Sequence, residues 1–302
     1  MKKLILLLFF LFISNVFADD VATNVLKLKS LNACNGCDLN NVDLNRVELN
    51  RVKLTGANLT SANFTRADLR EADLSGANLS GANFYYADLS ATNLTGANLT
   101  GANLFGASLN GTNFFSANLS GAELGNANFT GTNLTSANLS DANLINANLT
   151  RANLTDANLT RAKITNVLLT DANLTRVNLT SANANGTNFT GETRNGINLE
   201  ANLTDVNFTS INLNGAILNG INLSGTNLSG TILSSTKFIG ANLTGVNFNS
   251  ANLTNANLSD ANLTNADFTN ADLTNADLTN ATIKDAIFCN TNTPWGVENS
   301  GC

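Results

Sequence analysis

Every fifth residue from Leu39 to Leu199 is Leu, Phe or Ile, with Ala184 and Arg194 the only exceptions. The phase then slips by one residue, resumes at Leu203 and holds to Phe288. Five fits neither the helical period of about 3.6 nor the strand period of about two, so an amphipathic helix and a simple hairpin sheet are both excluded. Within a unit such as Ala57-Asn58-Leu59-Thr60-Ser61, Ala and Leu are two residues apart and share a face, while Asn and Thr point the other way. Each unit reads as one very short strand with a small and a large apolar side chain inward. The Gly, Ser, Asn or Asp that follows the Thr suits a corner turn.

These A-[DN]-L-x-x units resemble the pentapeptide-repeat family from Asp38 to Cys289, nearly the whole chain after its first 37 residues. The resemblance implies an all-β fold: a right-handed quadrilateral β-helix with four units per coil and about a dozen coils. Unusual residues support a twenty-residue coil independently. Phe208, Phe248, Phe268 and Phe288 share one register, interrupted by Leu228, and Phe64 and Phe84 share another. Thr92, Thr112 and Thr132 recur at the small inward position. Coils stacked about 4.8 Å apart are expected to make a rod near ~60 Å long whose ends need caps. Val21, Val25 and Leu28 fall on one helical face and mark a short N-terminal cap.

The chain opens with Lys2 and Lys3, an apolar run from Leu4 to Ile13, and Val16-Phe17-Ala18 before Asp19, the pattern of a cleaved secretory signal peptide. The run is short for a membrane anchor, no cysteine follows the cleavage site, and no later segment is apolar enough to span a bilayer. The expected organisation is a signal peptide over 1–18, a cap with a CxxC over 19–37, solenoid over 38–189, an irregular loop or register shift over 190–202, solenoid over 203–288 and a C-terminal disulfide loop over 289–302. The mature protein is expected in a periplasm, a lumen or the exterior, without membrane insertion.

The formal charge of −6 and the lack of a basic stripe argue against a nucleic-acid binder. The absence of histidine removes Ser-His-Asp and Cys-His pairs and His-ligated metal sites. Asp and Glu fall almost entirely at outward positions, so a carboxylate enzyme is disfavoured and no cofactor is expected. Cys34 and Cys37 precede the first coil, and Cys289 and Cys302 follow the last, too far apart for one shared metal site. In an oxidising compartment two local disulfides are the natural reading. The openings C-N-G-C-D-L and F-C-N-T also look like the ends of exported bacterial relatives. A thioredoxin-like CxxC lacks its βαβ context.

Five residues just after a central one are large and apolar: Tyr85, Phe105, Phe115, Ile145 and Ile239. Tyr85, Phe105 and Ile145 share a register with Gly125 between them, and Tyr86 stands at the adjoining corner. They form a candidate patch for a protein partner or for self-association, against the alternative of scattered surface apolarity. Arg194, at a central position where an unpaired charge would be costly, marks a second candidate, a protruding loop. The expected function is a non-enzymatic structural or interaction solenoid. The alternatives are a surface-, glycan- or ice-binding module using the outward Asn and Thr rows and, further off given export, the gyrase-binding DNA mimicry of some cytoplasmic family members. The dense N-x-[ST] pattern is a by-product of the repeat.

Overall fold

The computed structural model describes residues 21–189, 203, 206, 208 and 210–302. The signal-peptide reading and Arg194 lie outside these residues. The chain forms a right-handed quadrilateral β-helix entered through α1 (Val21–Leu31) and closed by a hairpin of β1 (Thr291–Thr293) and β2 (Gly296–Glu298).

One unit accounts for all five of its backbone donors. In Ala57–Ser61, the Leu59 N–H reaches the Asn78 carbonyl in the next coil at 2.7 Å, and the Ser61 N–H reaches the Ser80 carbonyl at 2.9 Å. Asn58 N–H turns back to the Cys37 carbonyl at 2.8 Å, and Ala57 N–H closes the preceding turn on the Leu54 carbonyl at 3.0 Å. The fifth donor, Thr60 N–H, goes to the Asn58 side-chain Oδ1 at 3.3 Å. The same side-chain cap recurs from Asn40 on Asp38 to Thr279 on Asp277. Each corner residue has a left-handed backbone, as at Ser61 with φ 55°, so the four residues from centre to next inner position make a turn of type II character. This is why Gly, Asn, Asp and Ser crowd the corner.

Parallel bridges join residues twenty apart, from Asp38 to Asn58 onward. The expected columns follow. Phe64 and Phe84 stack at 4.9 Å, Phe248 and Phe268 at 5.0 Å, and Phe268 and Phe288 at 5.2 Å, the ring planes of each pair nearly parallel. Central residues and inner alanines are buried along the described solenoid up to Ala276, and in the last coil Leu278, Ala281 and Ala286 are partly buried and Ile283 is exposed. Threonine is tolerated inside because its hydroxyl is matched: Oγ1 of Thr92, Thr112 and Thr132 donates to the carbonyls of Leu69, Leu89 and Leu109 at 2.7 to 3.0 Å.

The ladder runs through the break. Asn183 pairs with Asn212 and Asn188 with Ile217, nine residues beyond the usual twenty-residue step. Nine is one short of two units, which accounts for the lost residue of phase. Ala184 is buried at its central position and Leu203 and Phe208 resume the core.

The two ends are closed differently. At the N-terminus Leu28 of α1 is buried, Val21 and Val25 pack on the core, and Asn24 Nδ2 donates to the Asp38 carbonyl at 2.9 Å. Cys34 already belongs to the first coil, since Ala33 bridges to Lys53. At the C-terminus the coil runs past Phe288 to β1, whose Asn292 still bridges to Asp272, and β2 then pairs antiparallel on β1. That hairpin and the Ser300 carbonyl, which accepts from Phe288 N–H at 2.9 Å, cover two faces. On the other two, the N–H groups of Leu278, Asn280, Ile283 and Asp285 find no backbone acceptor among the described residues. Cys34–Cys37 and Cys289–Cys302 are disulfide-bonded.

Replacing Leu139 with Asp should unfold the surrounding coils, because a fully buried site would hold an unpaired charge. Thr135→Lys, at an outward position, should stay within about 1 kcal/mol of the parent. Urea denaturation followed by far-UV circular dichroism separates the two.

Candidate functional site

The residue after each central one is normally Thr or Ser, and its hydroxyl donates to the Asn or Asp two residues before it, as Thr95 does to Asn93 Oδ1 at 2.7 Å. Tyr85, Phe105 and Ile145 keep the backbone half of this arrangement: their N–H groups donate to the Oδ1 of Asn83, Asn103 and Asn143 at 3.1 to 3.2 Å. They give up the hydroxyl bond.

The structure gathers Tyr85, Tyr86 and Phe105 into one cluster. Tyr85 and Phe105 stack at 5.8 Å, Tyr86 meets Tyr85 edge-on at 4.6 Å, and Tyr86 meets Phe105 edge-on at 6.1 Å. Tyr85 is 37% exposed and Tyr86 50%, while Phe105 and Ile145 are half-buried. Phe115 and Ile239 do not join them; Phe115 stands between Thr95 and Thr135 in its column.

Two glycines accommodate the rings. A Cβ at Gly106 would meet the Tyr86 ring at 2.6 Å, although the φ of 66° there already favours glycine. Gly125 is different, because its φ is not positive and it is the one glycine in the sequence directly after a central residue of the repeat. A Cβ at Gly125 would lie 3.1 Å from the Phe105 ring. The ring therefore rests on bare backbone one coil further on, towards Ile145. Sequence reading saw Gly125 only as a gap in the stripe, because the signal lies in the neighbouring column position and not in the residue itself.

A second feature went unread although its spacing is visible. Arg46, Arg66 and Tyr86 occupy successive corners of one column. Arg51, Arg70, Arg151, Arg161 and Arg176 each pair with a carboxylate, mostly across one coil step, as Arg161 does with Asp141 at 2.6 Å. Among the described residues, Arg46 and Arg66 have no carboxylate within ion-pair distance.

The carboxyl groups behave as structural acceptors. Donation from the Asn40 and Asn45 side chains holds Asp38 and Asp43 below the usual range, and the Arg161 and Arg176 guanidinium groups do the same to Asp141 and Asp156. A general acid working near neutral pH needs the opposite shift. Among the described residues no group of three His, Cys, Asp or Glu is placed to hold a metal ion, and no helix is long and apolar enough to cross a membrane.

Comparison with known proteins agrees with the coil geometry. The chain belongs to the pentapeptide-repeat family: pentapeptide repeats match in overlapping segments from 34 to 191, and a pentapeptide repeat region matches 216–293. Among solved structures it is similar to HetL, a pentapeptide repeat protein involved in heterocyst differentiation regulation from the cyanobacterium Nostoc (28% identity, 90% of this chain and 96% of that one, TM-score 0.30). It is also similar to Rfr23 from the cyanobacterium Cyanothece (31% identity, 42% and 94%, TM-score 0.22). A pentapeptide repeat protein of the Arabidopsis thaliana thylakoid lumen is 38% identical over 32% of this chain and 68% of that one, with a TM-score of 0.19. A search of curated protein sequences finds no match.

The Phe105–Gly125 contact is testable as a coupled pair. Gly125→Thr alone should destabilise the solenoid by about 1–3 kcal/mol through overpacking. Phe105→Thr together with Gly125→Thr restores the ordinary repeat and should recover most of that loss, so a double-mutant cycle by thermal denaturation should show clear non-additivity.

Proposed function

We propose that this is an exported, non-enzymatic interaction solenoid whose specific contact is made by the patch of Tyr85, Tyr86 and Phe105, extended by Ile145. The observation that carries this reading is the Phe105 ring lying over Gly125: two positions depart from the repeat together to hold an aromatic at the surface, where the repeat ordinarily carries Thr or Ser. Tyrosine and arginine are the residue types enriched where binding energy concentrates, and Arg66 stands at the corner beside Tyr86. Export is supported by the N-terminal sequence and agrees with the two disulfides.

The alternative, a glycan- or ice-binding module on the Asn and Thr rows, is less well supported because those groups are engaged within the protein. Thr Oγ1 donates to Asn Oδ1 on its own strand, and Asn Nδ2 donates to the preceding coil, as Asn138 does to Asn118 Oδ1 at 3.1 Å.

Replacing Tyr85, Phe105 and Ile145 together by Thr should leave the thermal midpoint nearly unchanged while reducing self-association or partner recovery from the exported fraction. Full binding by the triple variant in the same assay would sink the reading. Mass spectrometry of protein made with its own export signal should find a mature N-terminus at Asp19 and both disulfides in an unreduced digest; an uncleaved leader or free thiols would overturn the export assignment.

A further inference from the structure

The C-terminal end of the solenoid carries the complement of the aromatic patch. From Asp260 onward the chain has six carboxylates, Asp260, Asp267, Asp272, Asp277, Asp285 and Glu298, against the single cation Lys284. Among the described residues none of them is in an ion pair, whereas Asp141, Asp156 and Asp171 earlier in the chain each have an arginine. The same end is apolar at its surface. Trp295 is 56% exposed and Val297 64%, on and beside the closing hairpin, and Ile283 is exposed on one of the two faces that the hairpin leaves open. The N–H groups of Ile283 and Asp285 there have no backbone acceptor among the described residues.

The patch near the other end has the opposite character. Arg46 and Arg66 share a column with Tyr86, and neither is neutralised by a described carboxylate. In these coils Asp43 is held by the amides of Asn45 and Asn63 and Glu123 by that of Asn143, and across the shared corner Asp68 and Asp88 are engaged by Arg70, which leaves Glu48 as the one nearby acid held by neither an amide nor an arginine among the described residues. Among the described residues, two arginines outside any ion pair thus stand beside three aromatic rings, while the acids at the end that carries the exposed indole accept hydrogen bonds, as Glu298 does from Ser300 Oγ and Asp260 from Asn280 Nδ2, but meet no cation.

We infer that the occupant of the patch is the C-terminal end of a second copy of this chain, with Trp295 and Val297 against the rings and Asp285 and Glu298 towards Arg46 and Arg66. This rests on the interaction reading above and names the partner for it. Joining one end to one side is a heterologous contact, which forms a ring where its rotation closes and open chains where it does not, so more than two copies join in either case. The small apolar area makes each link weak, and the exposed charges make it sensitive to salt.

A charge exchange tests the pairing. One variant carries Arg46→Glu and Arg66→Glu, and the other carries Asp285→Arg and Glu298→Arg. The three corner positions tolerate these side chains, because Glu71 and Arg51 already occupy such corners with φ near 58°. In sedimentation velocity at about 50 mM salt, where screening is weak, the average mass of the parent should rise with concentration, and about 500 mM salt should reverse it. Each variant alone should stay monomeric. An equimolar mixture should regain association, because each variant's patch then faces an end of opposite charge. A monomeric mixture, variants that associate like the parent, or a parent that is monomeric throughout would each overturn the proposal. The Tyr85, Phe105 and Ile145 triple variant, run alongside, separates the two claims: if it loses association while the charge variants keep it, the patch stands and this occupant falls.

Discussion

The N–H of the residue after each central one has no carbonyl within reach, because the coils above and below use only the central and corner donors on that side of the strand. Where Asn or Asp precedes the central residue its Oδ1 fills that gap, as Asn58 does for Thr60, and where Lys53 and Lys237 stand there instead the Oδ1 comes from Asn35 and Asn219 one coil back. An unpaired backbone donor repeated at every unit would be costly, so this cap decides what the outward rows contain. It explains the Asn or Asp before most central residues, and the Thr whose hydroxyl joins the same oxygen, at 2.7 Å in Thr60. It also explains why the rows offer little free hydrogen-bonding capacity to a ligand.

With the outward rows committed to the backbone, departures from them stand out as the informative positions. Aromatic rings at 85 and 105 forgo the hydroxyl bond, and a glycine at 125 forgoes a side chain altogether. The interior shows the converse. Thr92, Thr112 and Thr132 depart from Ala but recover a hydrogen bond to the previous coil, so they are neutral to the fold and carry no message about function.

The coil, its four faces and the stacked Phe columns were legible in the sequence because side-chain direction is fixed by the five-residue unit and vertical neighbours by the twenty-residue coil. The patch was legible in part. Tyr85, Phe105, Ile145 and Tyr86 could be placed on neighbouring columns, but which way the Phe105 ring leans depends on a vacancy one coil away, and no single position shows it. Four of the arginine pairs were legible once the coil was known, because their acids lie twenty residues away and Arg46 and Arg66 have none at that spacing, while Arg70 on Asp68, two residues apart, depends on a rotamer within its own unit. The ends were the least legible. Extension of the coil to Thr293 and the antiparallel strand Gly296–Glu298 arise where the repeat stops, so periodicity gives no guide there. The break was readable only as a lost residue, since the nine extra positions become apparent once Asn183 is seen opposite Asn212.

The orientation of the ladder has a mechanical consequence. The hydrogen bonds between coils run along the solenoid axis, so a force pulling the two ends apart would load them a coil at a time and peel the molecule like tape, not shear many bonds together. Each coil touches only its neighbours, which makes the terminal coils the weakest points under load. Those are the coils that hold Cys34–Cys37 and Cys289–Cys302. Neither link crosses a coil step, since Cys34–Cys37 joins residues three apart in one coil and Cys289–Cys302 ties the tail to the last one, so each stiffens an end coil while its grip on the neighbouring coil stays non-covalent.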